Sequence, residues 1–249
     1  MKTYLDKNVY EAALERIAYC FQEFDNVLVA FSGGKDSGVL LNLCYNYADE
    51  HGLLDKLTMY HLDYEAQYQM TTEYVTRTFL EQFPGIRKMW YCVPIKAQSA
   101  CALGEPYWTP WDAAKKKLWV RAMPENPYVV HEGNLDVPFR HGMVDYEFQD
   151  KLSRHFAKKR GTTAVMVGLR ADESLNRYAA VARGKKRRSY EGRKWITQTS
   201  AVTANVYPLY DWRVSDIWTA TARFGFDYNR LYDLLYQAGL TAGQMRVAS

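Results

Sequence analysis

The stretch Asn26-Val27-Leu28-Val29-Ala30-Phe31-Ser32-Gly33-Gly34-Lys35-Asp36-Ser37-Gly38-Val39-Leu40-Leu41 constrains the fold more than any other. Residues 27–31 form a continuous apolar run with the length of a parallel strand covered on both faces, and the run stops at Ser32. Two adjacent glycines follow, which let the backbone take positive φ and approach an anion closely. A helix opening near Asp36 or Ser37 would aim its free amides at the same point. Ser32, Lys35 and Ser37 add two hydroxyls and an ammonium. Strand, glycine turn and helix in this order predict an α/β fold with a phosphate cradle at the carboxyl end of its first strand. The competing account is a plain Gly-Gly turn with a solvated Lys-Asp pair, and the strand and apolar helix on either side argue against it.

The rest of the chain supplies the matching elements. Apolar residues at Ala13, Ile17, Cys20, Phe21 and Phe24 predict a helix over 9–24. Residues 39–47 continue the helix after the glycine turn, ending near His51 with Gly52 as a left-handed cap. Residues 57–62, 89–95 and 164–169 read as further strands, and 195–197 as an edge strand. A helix over 71–83 places Tyr74, Val75, Phe79 and Leu80 inward, and another passes through Leu152, His155 and Phe156 to the cations Lys158, Lys159 and Arg160. Residues 123–141 hold three prolines and read as loop. Two C-terminal helices follow, one capped by Ser215 and one ending at Gly239. The expected architecture is an open, mostly parallel five-stranded sheet with helices on both faces. The main domain spans 1–204 with an aromatic-rich insertion at about 97–145, and a helical segment over 205–249 packs on it.

In an open parallel sheet, ligands lie beyond the carboxyl ends of the strands where the strand order reverses. Asp63 follows the second strand, and Gly168, Arg170, Asp172, Glu173 and Arg177 follow the fourth, so these ends face the glycine turn. Arg170 and Arg177 are placed to neutralise phosphate or sulfonate oxygens. Glu173 would bind a metal or orient Arg177, while Asp63 either serves the ligand or caps the next helix. The insertion gathers Trp108, Trp111 and Trp119, which read equally as a lid or substrate pocket, a satellite apolar cluster or a homodimer contact. Residues 183–194 carry Arg183, Lys185, Lys186, Arg187, Arg188, Arg193 and Lys194 against Glu191 alone, a run that suits nucleic acid or a clamp over an anionic ligand as well as a solvated loop.

Composition narrows the class. A net charge of +4 over 249 residues decides nothing between nucleotide and nucleic acid. Cys20, Cys44, Cys92 and Cys101 form no CxxC, so no zinc ribbon, disulfide framework or iron–sulfur cluster signature is legible, and a reduced, cytoplasmic setting is expected. His131, His141 and His155 lack metal-ligand spacing. No stretch reaches the roughly eighteen apolar residues of a membrane span.

The hexapeptide Ser32-Gly33-Gly34-Lys35-Asp36-Ser37 resembles the PP-loop of the ATP pyrophosphatase superfamily. With Gly168-Leu169-Arg170-Ala171-Asp172-Glu173-Ser174, Arg177, Tyr207-Pro208-Leu209-Tyr210-Asp211-Trp212 and Asp216-Ile217-Trp218, it is similar to the phosphoadenosine phosphosulfate (PAPS) reductase family within the adenine nucleotide alpha hydrolase-like proteins. The insertion, from Tyr107-Trp108-Thr109-Pro110-Trp111-Asp112 to Trp119-Val120-Arg121-Ala122-Met123-Pro124, looks like the IbrA-like branch of prophages and mobile elements, which implies a transcriptional role beside a ParB-like partner. The resemblance implies an adenine nucleotide, either ATP or the sulfonucleotides PAPS and APS, held by Ser32, Gly33, Gly34, Lys35, Asp36, Ser37, Asp63, Gly168 and Arg170. It implies Lys35, Asp36, Arg170 and Arg177 as catalytic groups, and Mg²⁺ on Asp36, Asp63 and Glu173. Sulfonucleotide reduction further requires a nucleophilic cysteine in the C-terminal tail, and no cysteine follows Cys101. Either a tail is missing or the pocket serves another reaction, with ATP cleavage and adenylation the leading expectation and nucleic-acid-associated regulation the alternative.

Overall fold

A computed structural model describes residues 6–98, 104, 106–182 and 189–247. In chain order, helix α1 (Val9–Glu23) leads into β1 (Asn26–Ala30), α2 (Lys35–Glu50), β2 (Leu57–Leu62), α3 (Gln69–Glu81) and β3 (Arg87–Cys92). The insertion holds the short strands β4 (Ala97–Gln98) and β5 (Tyr107–Trp108), a 3-10 turn over Ala113–Leu118, and β6 (Val129–His131). Then come α4 (Asp145–Arg160), β7 (Thr163–Val167), α5 (Leu175–Ala182), β8 (Ser189–Tyr190), β9 (Arg193–Gln198), β10 (Thr203–Val206), α6 (Val214–Phe224) and α7 (Leu231–Gln237).

Eight strands form one sheet in the order β6-β3-β2-β1-β7-β10-β9-β8. The first six in that order run parallel, and β9 and β8 close one edge as an antiparallel hairpin. Central β1 pairs with β2 on one side and β7 on the other, with Ala30 opposite both Tyr60 and Val167. The chain builds outward through β2, β3 and β6 and then returns across the sheet to β7. The strand order therefore reverses between β1 and β7, which creates a crevice at their carboxyl ends.

Alternation along β1 explains why both faces are covered. Val27 and Val29 join a core built with α1, α2, α3 and α6, while Leu28, facing the other way, joins Phe148, Leu152 and Phe156 of α4. All three are fully buried, which fits the uninterrupted apolar run. Helix α1 starts at a capping box, with the Asn8 side chain accepting from the Glu11 amide and Glu11 accepting from the Asn8 amide.

The sheet departs from the five strands expected. Residues 123–141, read as loop, contain β6, whose three residues sit between prolines and show no periodicity. This strand places part of the expected insertion in the main sheet. Strand β10 is inserted between β7 and β9 and crosses the boundary drawn after residue 204. Leu80 is half exposed, unlike Tyr74, Val75 and Phe79 on the same helix. Helix α6 is capped at Arg213, whose amide donates to Asp216 at 2.7 Å, so Ser215 lies inside the helix. Among the described residues no helix is long and apolar enough to cross a membrane.

Candidate functional site

The turn between β1 and α2 is held by its own side chains. Helix α2 begins at Lys35 with Gly34 as N-cap and no side chain capping it. Ser32 donates its amide to Ser37 Oγ at 3.1 Å, the two hydroxyls lie 3.0 Å apart, and Ser37 Oγ donates to the Gly34 carbonyl at 3.0 Å. Gly33 has φ +77°, and a Cβ there would lie 2.9 Å from Val75 Cγ2, so glycine is required both by conformation and by the press of α3. Asn229, fully buried, ties the turn to α3 by donating to the Gly33 carbonyl at 3.3 Å and to Thr71 Oγ1 at 2.8 Å.

Two donors of the turn point at the C-terminal part of the chain. The Lys35 amide donates to the Tyr232 hydroxyl at 3.2 Å, and the Lys35 ammonium donates to the Met245 carbonyl at 3.3 Å. Lys35 is itself buried, and its ammonium also pairs with Asp36 at 3.3 Å. Burial pushes the Tyr232 phenol well above its ordinary range, so it remains a neutral hydroxyl. Tyr232, Met245 and Val247 pack together with Leu231, which seats residues 240–247 as a strap beside the turn.

The end of β7 brings Arg170 to the turn. Arg170 is 3 % exposed, with Nε on Asp36 and its terminal nitrogens on Asp172 and, at 3.5 Å, Glu173. Arg177 pairs with the other oxygen of Glu173. Gly168 accounts for how closely β7 meets α2: a Cβ at this position would lie 2.9 Å from both the Asp36 carbonyl carbon and the Ser37 amide nitrogen. Its place is backbone approach to the helix start. Lys35, Arg170, Asp172, Glu173, Val214, Gly243 and Arg246 line a cavity of about 80 Å³.

The structure thus gathers Ser32, Gly33, Gly34, Lys35, Asp36, Ser37, Gly168, Arg170, Glu173 and Arg177, and leaves Asp63 out of that group. Asp63 is fully buried and both its oxygens are taken by the Arg121 guanidinium at 2.5 and 2.7 Å, with Trp90 Nε1 at 2.7 Å and the Glu65 amide at 2.7 Å adding to them. Neighbouring Glu65, with φ +62°, accepts the amides of Trp111 at 2.8 Å and Val120 at 2.9 Å. The carboxyl end of β2 is therefore a latch for the insertion. Trp111 belongs to the main core and donates its indole N–H to the Asp63 carbonyl at 2.9 Å, so this part of the tryptophan-rich stretch is packing. A larger cavity of about 440 Å³ lies between the insertion and β6, lined by Trp119, Met123, His131 and neighbours, and includes no residue of the turn.

No group of three or more His, Cys, Asp or Glu suited to a metal occurs among the described residues. Asp36, Asp63 and Glu173, expected as Mg²⁺ ligands, each have their oxygens on cations, so the protein side chains alone do not fit such a site. Burial pushes the thiols of Cys20, Cys44 and Cys92 up, away from nucleophilic thiolate. Cys101 and the cations Arg183, Lys185, Lys186, Arg187 and Arg188 lie outside the described residues. Arg193 and Lys194 begin β9.

Residues 26–238 match the model of the phosphoadenosine phosphosulfate reductase domain. The chain belongs to that family. It is 34 % identical over 246 residues to the uncharacterized protein YbdN of Escherichia coli (strain K12), covering 98 % of this chain and 59 % of the relative. The chain therefore spans about three fifths of that relative's length. Among solved structures, FMN adenylyltransferase of Candida glabrata aligns with a TM-score of 0.50 at 13 % identity, over 92 % of this chain and 62 % of the other. PAPS reductase of Candida auris, as a phosphate complex, aligns with a TM-score of 0.48 at 14 % identity, over 94 % of this chain and 93 % of the other. The first likeness supports the adenine nucleotide alpha hydrolase-like fold alone.

Proposed function

We propose that residues 32–37 hold the phosphate chain of an adenine nucleotide, and that the chain cleaves ATP between its α- and β-phosphates to adenylate an acceptor. One observation carries this reading: the amides at the start of α2, the Lys35 ammonium and the Arg170 guanidinium converge in the crevice between the carboxyl ends of β1 and β7. Donors fixed before the ligand arrives need no reorganisation as charge develops on the leaving group. An acceptor oxygen would attack the α-phosphorus, the α–β bridge would break, and pyrophosphate would leave with its charge held by Lys35 and the turn. Arg170 would steady the equatorial oxygens. No step is assigned to a metal, because the carboxylates at hand are already paired. Sulfonucleotide reduction is the less favoured reaction, since the described thiols are buried.

Thermal-shift titrations with ATP, AMP, APS and PAPS test the reading and rank the ligands, because at equal concentration a tighter ligand stabilises the fold it binds more, with the logarithm of its affinity. ATP is expected to stabilise most, and Lys35→Ala and Ser37→Ala to weaken it roughly tenfold or more each. If none of the four nucleotides stabilises the protein, or if both variants bind as the parent does, the proposal fails. Stabilisation by PAPS above ATP would shift the reaction assignment to sulfonucleotides.

A further inference from the structure

The larger cavity, about 440 Å³ between the insertion and β6, has no part in the nucleotide reading, and its size falls within the range of about 300–1,000 Å³ usual for ligand sites. It lies beside an edge strand three places from β1, roughly 14 Å across the sheet at about 4.8 Å per strand, and so is a separate place from the glycine turn. Trp119, Met123 and Val129 line it while also packing against the main core. The orientation of Trp119 is fixed, because its indole N–H donates to the Asp112 carbonyl at 3.1 Å and its ring meets that of Trp111 near a right angle at 5.1 Å. Lys116, an exposed residue, places its ammonium 5.6 Å from the centroid of the same ring.

The edge of β6 restricts what the cavity takes. Its outward main-chain groups are already used: the Val129 amide donates to the Asn126 carbonyl at 3.2 Å, and the Val129 carbonyl accepts from Asn134 Nδ2 at 3.1 Å. The His131 amide donates to Asn134 Oδ1 at 2.7 Å, and the His131 carbonyl accepts from the Asn134 amide at 3.0 Å. An extended peptide therefore has no open ladder to join. Side-chain donors remain. The Gly133 amide donates to His131 Nδ1 at 3.0 Å, which puts the ring proton on Nε2, and neither Nε2 nor Asn126 Nδ2 has a partner among the described residues. Charge points the same way. Lys115, Lys116 and Lys117 stand exposed on the 3-10 turn, which buries none of its residues, and they have no acidic partner among the described residues. Glu125, the carboxylate among the lining residues, is exposed to solvent.

We propose that this cavity and the 3-10 turn form a binding site for single-stranded nucleic acid. A base enters beside Trp119 and displaces Lys116 from the ring, His131 Nε2–H and Asn126 Nδ2 donate to acceptors on the base, and Lys115, Lys116 and Lys117 hold the flanking phosphates. Adjacent ammonium groups beside a fixed indole combine backbone charge with base stacking, which an unpaired strand satisfies. A duplex cannot make the stacking contact, because its bases are already paired and stacked. The site lies outside the glycine turn and stands whether or not that turn binds ATP.

The experiment follows fluorescence anisotropy of labelled oligouridylate and oligothymidylate of about twelve nucleotides, and of a duplex of the same length, between about 50 and 200 mM salt. The proteins are the parent, Trp119→Leu, a triple variant with Lys115→Gln, Lys116→Gln and Lys117→Gln, and a control with Lys7→Gln, Arg223→Gln and Arg230→Gln, which removes the same charge from other exposed positions. Three lysine–phosphate contacts contribute about −2 to the log–log salt slope, or roughly twentyfold in affinity over that range. Expected are a slope shallower by about 2 in the lysine triple, the parent's slope in the control, and a loss of roughly tenfold for Trp119→Leu at unchanged slope, since stacking releases no counterions. The three lysines are exposed, so the slope test holds even if Trp119→Leu fails to fold. Tighter binding of oligouridylate identifies RNA as the source, and of oligothymidylate DNA; either supports the site. The proposal is overturned if the parent binds neither oligonucleotide at the lowest salt, if the lysine triple keeps the parent's slope, or if folded Trp119→Leu binds as the parent does. Duplex binding as tight as that of the single strand, or full displacement of the strand by oligoglutamate of matched charge, overturns it as well.

Discussion

Gly168→Ala tests the geometry of the site without removing any charge. The added methyl would meet the Asp36 carbonyl carbon and the Ser37 amide nitrogen at 2.9 Å, and the Asp36 carbonyl oxygen at 3.0 Å, where ordinary contact begins near 3.4 Å. Backbone atoms must therefore yield by about 0.5 Å, the difference between those distances. Strand β7 has little freedom to move, because it is paired along both edges, to β1 and β10. The displacement falls on the first turn of α2, where the amides of the proposed phosphate cradle start. Overpacking of this kind costs about 1–3 kcal/mol, and the reduced freedom of the unfolded chain returns about 0.4–1 kcal/mol. The net is about 0–2.5 kcal/mol, a fall in Tm of up to roughly 10 °C in a chain of this size.

Binding should suffer more than stability, because a shift of half an ångström misaims several amides at once. The assay pairs thermal unfolding with ATP titration, with Gly52→Ala as control. Gly52 has φ +66° and nothing within 4 Å of a Cβ, so alanine there strains the end of α2 by about 1–2 kcal/mol and leaves the turn in place. Gly168→Ala is expected to lose at least roughly tenfold in ATP affinity, and Gly52→Ala to keep it. Parent-like ATP binding by Gly168→Ala would refute the argument that close approach of β7 to α2 sets the cradle.

Two further outcomes follow from groups away from the turn. Glu65→Gln keeps one acceptor oxygen for two amides, Trp111 and Val120, and should cost about 2–3 kcal/mol, seen as a lower Tm and faster proteolysis within the insertion, with ATP affinity unchanged; unaltered stability would show that the latch carries no weight. His61 is fully buried, donates from Nδ1 to the Phe31 carbonyl at 2.8 Å, and leaves Nε2 without a partner among the described residues. Burial lowers its pKa from the ordinary 6.5, against the pull of Asp63, and Arg121 lowers it further. The unfolded chain therefore binds the proton first, so the contribution of neutral His61 is complete above pH 6.5 and is lost as pH falls from 6.5 towards the folded value. The unfolding free energy should fall by up to about 1.4 kcal/mol per pH unit there, and His61→Phe, though less stable overall, should lose that part of the slope. Denaturant titrations at pH 7, 6 and 5 decide it, equal slopes in the two proteins being the contrary result.

The elements legible in the sequence were those whose pattern arises from their own burial. Residues 27–31, 57–62 and 164–169 announce β1, β2 and β7 because strands covered on both faces must be apolar throughout, and the glycine turn announces itself by its chemistry. Strands β6 and β10 have no such signature: Val129–His131 is half buried at an edge, and Thr203–Val206 includes Thr203 and Asn205. Their pairing is decided by β3 and β7, far away in the chain, which local periodicity does not report. The site divides in the same way. Lys35, Arg170 and Glu173 follow from strand-end logic, and so did Asp63, but the partner that claims it, Arg121, sits 58 residues on in the insertion. Tyr232 and Arg246 carry no local signal at all, because a tyrosine on an amphipathic helix and an arginine in a short tail look the same whether or not the fold turns them towards a loop two hundred residues earlier.

These late contacts change how the cradle works. A buried guanidinium such as Arg170 with no anion beside it would cost several kcal/mol, so Asp36, Asp172 and Glu173 make its burial tolerable before any ligand arrives. The Lys35 amide and ammonium are likewise occupied, but by the Tyr232 hydroxyl and the Met245 carbonyl, both neutral. For the donors of Lys35, the ligand binding proposed above would be an exchange of acceptors. Hydrogen bonds to a charged acceptor are about twice as strong as those to a neutral one, so a phosphate oxygen gains on exchange where a carbonyl or hydroxyl of a neutral ligand gains nothing. On the proposed function, selectivity for phosphorylated ligands would arise from what the protein already places on its own donors, with Tyr232 and Met245 setting the threshold a ligand must exceed.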